Sequence, residues 1–245
     1  MIMNILSIGN SFSEDAQRYL HSIARSANFN LNSYNLYIGG CPLAIHFRNM
    51  LSEEKRYGLG VNGHSSYFFV SIKEALLSCD WDIVTVQQVS HLSVDYETYQ
   101  PYLNEIVAYV KKYCPKAKIA IHQTWAYEEE SYRLCQELGY KSRNDMFKDI
   151  KIAYQQAARD INADYFIPSG ELMEELTASG IEKVHRDTFH ASLGLGRYAI
   201  GLLWYAVLTG NELENVSFSD LDESVSNEQI EIAKKCAWEV YCRYK

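Results

Sequence analysis

No stretch of this 245-residue chain is both long and apolar enough to cross a bilayer. The longest apolar run, residues 193–210, contains Arg197 and four glycines. The six cysteines (41, 79, 114, 135, 236 and 242) form no Cys-x-x-Cys pair and no Cys/His spacing typical of zinc. They read as reduced thiols, and with no basic-apolar leader ahead of the first strand a cytoplasmic protein is expected. Basic residues are in deficit: 23 Lys and Arg against 31 Asp and Glu give a net charge of −8. That balance argues against nucleic acid or an anionic membrane as partner. No Gly-x-x-x-x-Gly-Lys-Ser/Thr loop is present. Gly58-Leu59-Gly60-Val61-Asn62-Gly63 matches the dinucleotide fingerprint formally, but it follows a charged segment and leads into aromatics instead of opening a helix. The Gly-x-Ser-x-Gly elbow is also missing, because position 13 is Ser. His185 and His190, five apart, suit neither one helix face nor a tight zinc loop. Neither metal nor cofactor is expected.

What remains is ordinary globular material, 47% hydrophobic and 22% charged, enough for a sizeable core. Apolar runs alternate with helical patterns in the way that builds a parallel sheet. Strands are expected at Met3–Ile8, Leu31–Ile38, Ile83–Gln88, Lys118–His122 and Asp164–Ile167. Helices are expected at about 14–27, 71–79, 98–113, 143–161, 169–177, 191–209 and 226–244. Five parallel strands covered on both faces predict a three-layer, flavodoxin-like α/β/α sandwich. With no linker, repeat or low-complexity segment, residues 1–245 read as one domain. Two stretches break the rhythm. Residues 52–69 carry Asn62-Gly63 between Val61 and Tyr67-Phe68-Phe69, a hairpin signal. Residues 123–145 make a long acidic connection after the fourth strand. Both are expected near the sheet edge that carries the site described next.

Gly9-Asn10-Ser11-Phe12-Ser13 ends the first strand, and Ser13-Glu14-Asp15-Ala16 reads as a helix start with a hydroxyl N-cap and early acids. Ser11 then occupies a tight strand-to-helix turn at the carboxyl edge of the sheet, where ligands of open α/β sheets bind. Far downstream, Asp187-Thr188-Phe189-His190 offers a carboxylate and an imidazole three residues apart. A nucleophile, a base and an orienting acid are the parts of a Ser-His-Asp machine.

On these blocks the chain resembles the SGNH (GDSL-type) hydrolase superfamily, in a bacterial branch whose nucleophile block reads Gly-Asn-Ser-Phe-Ser. The resemblance implies Ser11 as nucleophile, His190 as base and Asp187 as its partner, with the N–H groups of Ser11 and Gly40 in an oxyanion hole; Gly39 is a second candidate for the glycine. The third block departs from the superfamily pattern. Where Gly-x-Asn-Asp is expected, the chain has Gln87-Gln88-Val89-Ser90-His91. The missing Asn amide would then be replaced by Gln88, whose longer stem reaches from one position earlier, or by the hydroxyl of Ser90.

Trp125 and Tyr127, after the fourth strand, suggest a surface for stacking on a sugar ring, and His91 is expected near the same pocket. Together with polar, aromatic-lined loops they lean toward a short acyl group on a polar carrier, such as acetyl on a glycan. A small-molecule or glycan ester is thus the expected partner. The alternative is a non-catalytic carbohydrate-binding protein on the same fold. Cys41 reads as a packing residue beside the oxyanion turn, and His185 as a loop residue or a rival base.

Overall fold

The computed structural model describes residues 2–245. Its strands are β1 (Met3–Gly9), β2 (Leu31–Tyr37), β3 (Tyr57–Val61), β4 (His64–Val70), β5 (Ile83–Val86), β6 (Lys118–His122) and β7 (Tyr165–Ile167). The helices are α1 (Ser11–Gln17), α2 (Leu20–Ser26), α3 (Leu43–Ser52), α4 (Ile72–Leu77), α5 (Tyr102–Tyr113), α6 (Arg143–Asp160), α7 (Ser169–Ala178), α8 (Leu195–Thr209) and α9 (Asn227–Tyr244). Every residue of β5 is buried, as expected for a β-branched run covered on both faces. The sheet order is β4-β3-β2-β1-β5-β6-β7. Its parallel part, β2-β1-β5-β6-β7, is the expected doubly wound set.

The sheet has seven strands and not five, because residues 57–70 fold back on β2 as an antiparallel hairpin. Asn62 and Gly63 both have positive φ, +50° and +82°, which the primed hairpin turns require. A Cβ on Gly63 would lie 2.2 Å from the Arg18 carbonyl oxygen, so no other residue fits there. Asn62 donates its N–H to the Ser33 carbonyl at 2.7 Å and accepts from Ser33 N–H at 2.9 Å. The turn therefore lies beside the early part of β2. This corrects the expectation that residues 52–69 form a loop at the Ser11 edge: they extend the sheet sideways. Residues 123–142, by contrast, do leave the carboxyl end of β6 toward that edge.

Three helix expectations need revision. The single helix expected over 14–27 breaks at Arg18-Tyr19 into α1 and α2. Helix α3, which begins after Pro42, is not among the expected helices. Helix α8 starts at Leu195 instead of Ala191, and its near-total burial follows from contacts with α1, α2, α7 and α9. Among the described residues no helix is long and apolar enough to cross a membrane.

Candidate active site

Each residue of the first block has a separate physical task. Asn10, not Ser13, is the N-cap of α1: its side-chain oxygen accepts from Phe12 N–H at 3.0 Å. Ser13 completes the capping box, with its Oγ accepting from Asn10 N–H at 3.1 Å and lying 2.8 Å from Asn35 Oδ1. Gly9 precedes them because a Cβ there would lie 2.1 Å from Ser13 Oγ. Phe12 is buried and stacks on Trp125 with ring centres 4.1 Å apart. The helix rests on these contacts, which leave Ser11 partly exposed at its first turn.

Residues 184–192 form a small loop closed by the antiparallel bridge His185↔Ala191. Ser192 N–H bonds to the Val184 carbonyl at 2.8 Å, and Arg186 N–H to the His190 carbonyl at 3.0 Å. His190 therefore belongs to this loop and does not begin a helix. Asp187 Oδ1 accepts from His190 N–H at 2.9 Å, and Oδ2 lies 2.8 Å from His190 Nδ1. His190 Nε2 lies 2.8 Å from Ser11 Oγ. Ser11, His190 and Asp187, 179 and three residues apart in sequence, thus form one hydrogen-bonded line at the carboxyl edge of the sheet. Burial alone would raise the Asp187 pKa; the side-chain and backbone hydrogen bonds from His190 outweigh it and hold the carboxyl below its ordinary value.

The line faces a cleft of about 290 Å³, whose walls include Asn10, Ser11, Gly39, Gly40, Ser90, His91, Arg133 and His190. Gly40 has φ +61°, a left-handed turn conformation that favours glycine.

The sequence matches the family described as a domain of unknown function, DUF4886, over residues 4–240. The chain belongs to the DUF4886 family. A crystal structure of a DUF4886 family protein from Bacteroides uniformis is 28% identical, with 99% of this chain and 95% of that chain covered and a TM-score of 0.92. A protein of Slackia heliotrinireducens assigned to the SGNH hydrolases is 24% identical over 85% of this chain and 100% of that one, with a TM-score of 0.61. An acetyl xylan esterase variant from Geobacillus stearothermophilus shares the fold more distantly, at 14% identity, 92% and 97% coverage and a TM-score of 0.50. No curated protein matches the sequence. The DUF4886 chain thus has the mixed α/β fold of SGNH hydrolases.

Several residues lie elsewhere than their spacing suggests. Gln88 does not face the cleft. It has no exposed surface, its oxygen accepts from Leu43 N–H at 3.0 Å and Val89 N–H at 2.9 Å, and its amide donates to the Thr98 carbonyl at 2.9 Å. Its hydrogen-bonding capacity is used to tie α3 and residue 98 to the end of β5, so it is not free for an oxyanion. Ser90 does line the cleft, with its Oγ 2.9 Å from Tyr127 OH. Trp125 and Tyr127 are both buried and cannot stack on a sugar. Trp125 instead donates its indole N–H to the Phe189 carbonyl at 2.8 Å and so holds the residue before His190. His185 is buried and donates to the Ala126 carbonyl at 3.1 Å; burial lowers its pKa to about 4. It is a structural residue of the loop and no rival base. Burial raises the Cys41 thiol to about 12, which keeps it protonated and unreactive.

Two supports are not among the site residues expected from the sequence. Asp15, one helical turn after Ser11, binds the base of the His190 loop. A buried chain behind the site runs from Asn10 Oδ1 to Gln87 Nε2 at 2.8 Å, from Gln87 Oε1 to His122 Nδ1 at 2.9 Å, and from His122 Nε2 to Ser169 Oγ at 3.0 Å. Asn10 Nδ2 extends it to the Cys41 carbonyl at 3.2 Å, beside Gly40. Among the described residues no cluster of three potential metal ligands occurs.

Proposed function

We propose that this protein is a serine hydrolase that cleaves a short acyl ester. The observation that carries this reading is the Ser11–His190–Asp187 line at 2.8 Å per step, opening on a cleft of about 290 Å³. Asp187 keeps the proton of neutral His190 on Nδ1, which leaves Nε2 free to accept from Ser11 Oγ–H. Ser11 attacks the ester carbonyl as His190 takes its proton; His190 then returns that proton to the departing alkoxide. Water, activated by the same imidazole, resolves the acyl-enzyme. The oxyanion is held by Ser11 N–H, which as a first-turn amide has no helical acceptor, and by Gly40 N–H. The third donor is assigned to the Ser90 hydroxyl, backed by Tyr127 OH.

The small cleft favours a short acyl group such as acetyl. A binding module without catalysis is disfavoured by the 2.8 Å contact between Ser11 and His190, and the burial of Trp125 removes the stacking surface it would need. The test is mass spectrometry after treatment with a fluorophosphonate probe, paired with burst kinetics on p-nitrophenyl acetate. Labelling at Ser11 and a burst are expected. A protein that is neither labelled nor active on any short ester would overturn the reading.

A further inference from the structure

Arg133 is the one partly buried arginine with no carboxylate within salt-bridge distance among the described residues. Arg18, Arg143, Arg186 and Arg197, also buried or partly so, are each paired with an Asp or Glu. The remaining arginines without a partner, Arg25, Arg48 and Arg159, are exposed to water, which solvates their charge. Arg133 instead lines the cleft that holds Ser11 and His190. Its guanidinium carbon lies 4.0 Å from the Phe189 ring centre, and that ring lies 3.9 Å from the His190 ring centre, so guanidinium and imidazole are no more than about 7.9 Å apart. Stacking on a phenyl ring leaves the positive charge and the N–H fork without an anion.

The position is built and not accidental to a loose loop. Arg133 opens a five-residue π-helical turn, Arg133–Glu137, inside the long connection after β6. The turn is pinned by fully buried Leu134, whose N–H bonds to Ser131 Oγ at 3.2 Å, and by Leu138 N–H bonding to the Arg133 carbonyl at 3.1 Å. Single π turns recur at functional sites. None of the residues lining the cleft is acidic, in a protein of net charge −8. The other titratable groups on its walls are His91, His190 and Tyr37. Burial and the nearby Arg133 charge lower the His91 pKa, so at neutral pH His91 adds a neutral donor and no competing cation. Glu137, on the same turn, forms no ion pair with Arg133.

We infer that Arg133 forms a carboxylate-binding subsite beside the reaction centre, so that the ester this protein cleaves carries a free carboxylate a few bonds from the scissile carbonyl. A guanidinium fork matches a carboxylate bidentately, and such charge-assisted pairs discriminate strongly against a neutral isostere. The inference rests on the proposed hydrolase reading, and it narrows the substrate from short esters in general to anionic ones.

Two matched substrate pairs test it. In 4-acetoxybenzoate against 4-acetoxybenzamide the charge is on the alcohol side; in mono-4-nitrophenyl adipate against 4-nitrophenyl hexanoate it is on the acyl side. In at least one pair the anionic ester should have a kcat/KM about 10- to 100-fold above its neutral partner, the range expected of a hydrogen-bonded charge pair. Arg133→Gln should remove that ratio, Arg133→Glu should invert it, and Arg133→Lys should keep part of it. Turnover of the neutral esters with no anionic preference in either pair, or a preference that survives Arg133→Gln, sinks the subsite and leaves the hydrolase standing. If no ester is turned over, the hydrolase reading fails, and the subsite is judged by binding alone. In that case 4-acetoxybenzoate should raise the Tm of the wild type and not of Arg133→Gln; equal behaviour of the two proteins overturns it.

Discussion

The Asp15 carboxylate, with no exposed surface, accepts from Arg186 Nη1 at 2.9 and 3.0 Å and so fastens the helix of Ser11 to the loop of His190. Arg197 Nε adds a bond at 2.8 Å, and Ala191 N–H another at 3.1 Å. Ser11 and Asp15 are four residues apart on α1 and face the same side. One short helix thus presents the proposed nucleophile and, one turn on, the anchor for the proposed base.

Removing that anchor leaves Arg186 without a carboxylate partner, while Arg197 keeps Asp222 at 3.2 Å. Asp15→Ala should destabilise by about 3–5 kcal/mol, the range for breaking a buried ion pair from one side. Asp15→Asn should lose less, since the amide oxygen still accepts one bond. In both variants activity at a temperature where they remain folded should fall, because displacement of His190 by about 1 Å is enough to lose roughly 100-fold. Urea unfolding and kcat on one ester measure the two effects. A variant with normal stability and normal kcat would show that the loop is held by other contacts.

Ser11→Ala should abolish fluorophosphonate labelling and lower kcat on short esters by about 10⁴-fold or more, with the urea midpoint little changed. Asp187→Asn should also lower kcat strongly by permitting the wrong imidazole tautomer. If Ser11→Ala keeps a tenth of the wild-type activity, the nucleophile is elsewhere.

Gln88 and Ser90 should behave oppositely. Ser90→Ala removes a cleft hydroxyl and should lower kcat by about 100-fold with little change in KM, as expected for an oxyanion donor. Gln88→Ala leaves Leu43 N–H and Val89 N–H without their buried acceptor and should act on stability, by about 1–3 kcal/mol per group so exposed. A Gln88→Ala protein with normal stability and a kcat defect would return the amide to the oxyanion hole.

The parallel sheet, the turn that carries Ser11 and the Asp187–His190 pair were legible because each rests on a local pattern: β-branched runs, a turn after a strand, and a carboxylate three residues from an imidazole. That Ser11 meets His190 across 179 residues was what the superfamily resemblance implied. What failed was reading a side chain's direction from its type. Gln88 carries the amide that the resemblance calls for, but the end of β5 has backbone N–H groups to satisfy, and they take it first. Trp125 and Tyr127 lie beside the right loop, but ring area there is buried under Phe12 and Phe189 instead of being offered to ligand. Asp15 had a signal of the wrong kind, an acid in a first helical turn, when its partners are arginines 171 and 182 residues away. The Asn62-Gly63 turn was legible as a hairpin, and its position along β2 was not, because register depends on the partner strand.

The buried histidines set the last expectation. His122 sits between Gln87 and Ser169; with Gln87 Oε1 as acceptor its proton is on Nδ1, and Nε2 accepts from Ser169, so the ring is neutral. Burial lowers its pKa to about 3, and lowers those of His46 to about 3 and His185 to about 4. In the unfolded chain each would take a proton below about pH 6.5. Between that value and the folded pKa the unfolded state therefore binds more protons, so stability is fully present above about pH 6.5 and is lost as pH falls toward 3 or 4. Each such histidine should remove about 2 kcal/mol of stability between pH 6.5 and 5, since one proton corresponds to about 1.4 kcal/mol per pH unit. Replacing His122 by Gln should lower stability at pH 7.5 and, separately, flatten the decline from pH 7.5 to 5 by about the contribution of one histidine. Urea midpoints at the two pH values give both quantities. If the variant declines as steeply as the wild type, His122 takes up its proton in the folded protein as readily as in the unfolded chain, and its Nε2 then donates to Ser169 Oγ while Nδ1 still donates to Gln87 Oε1.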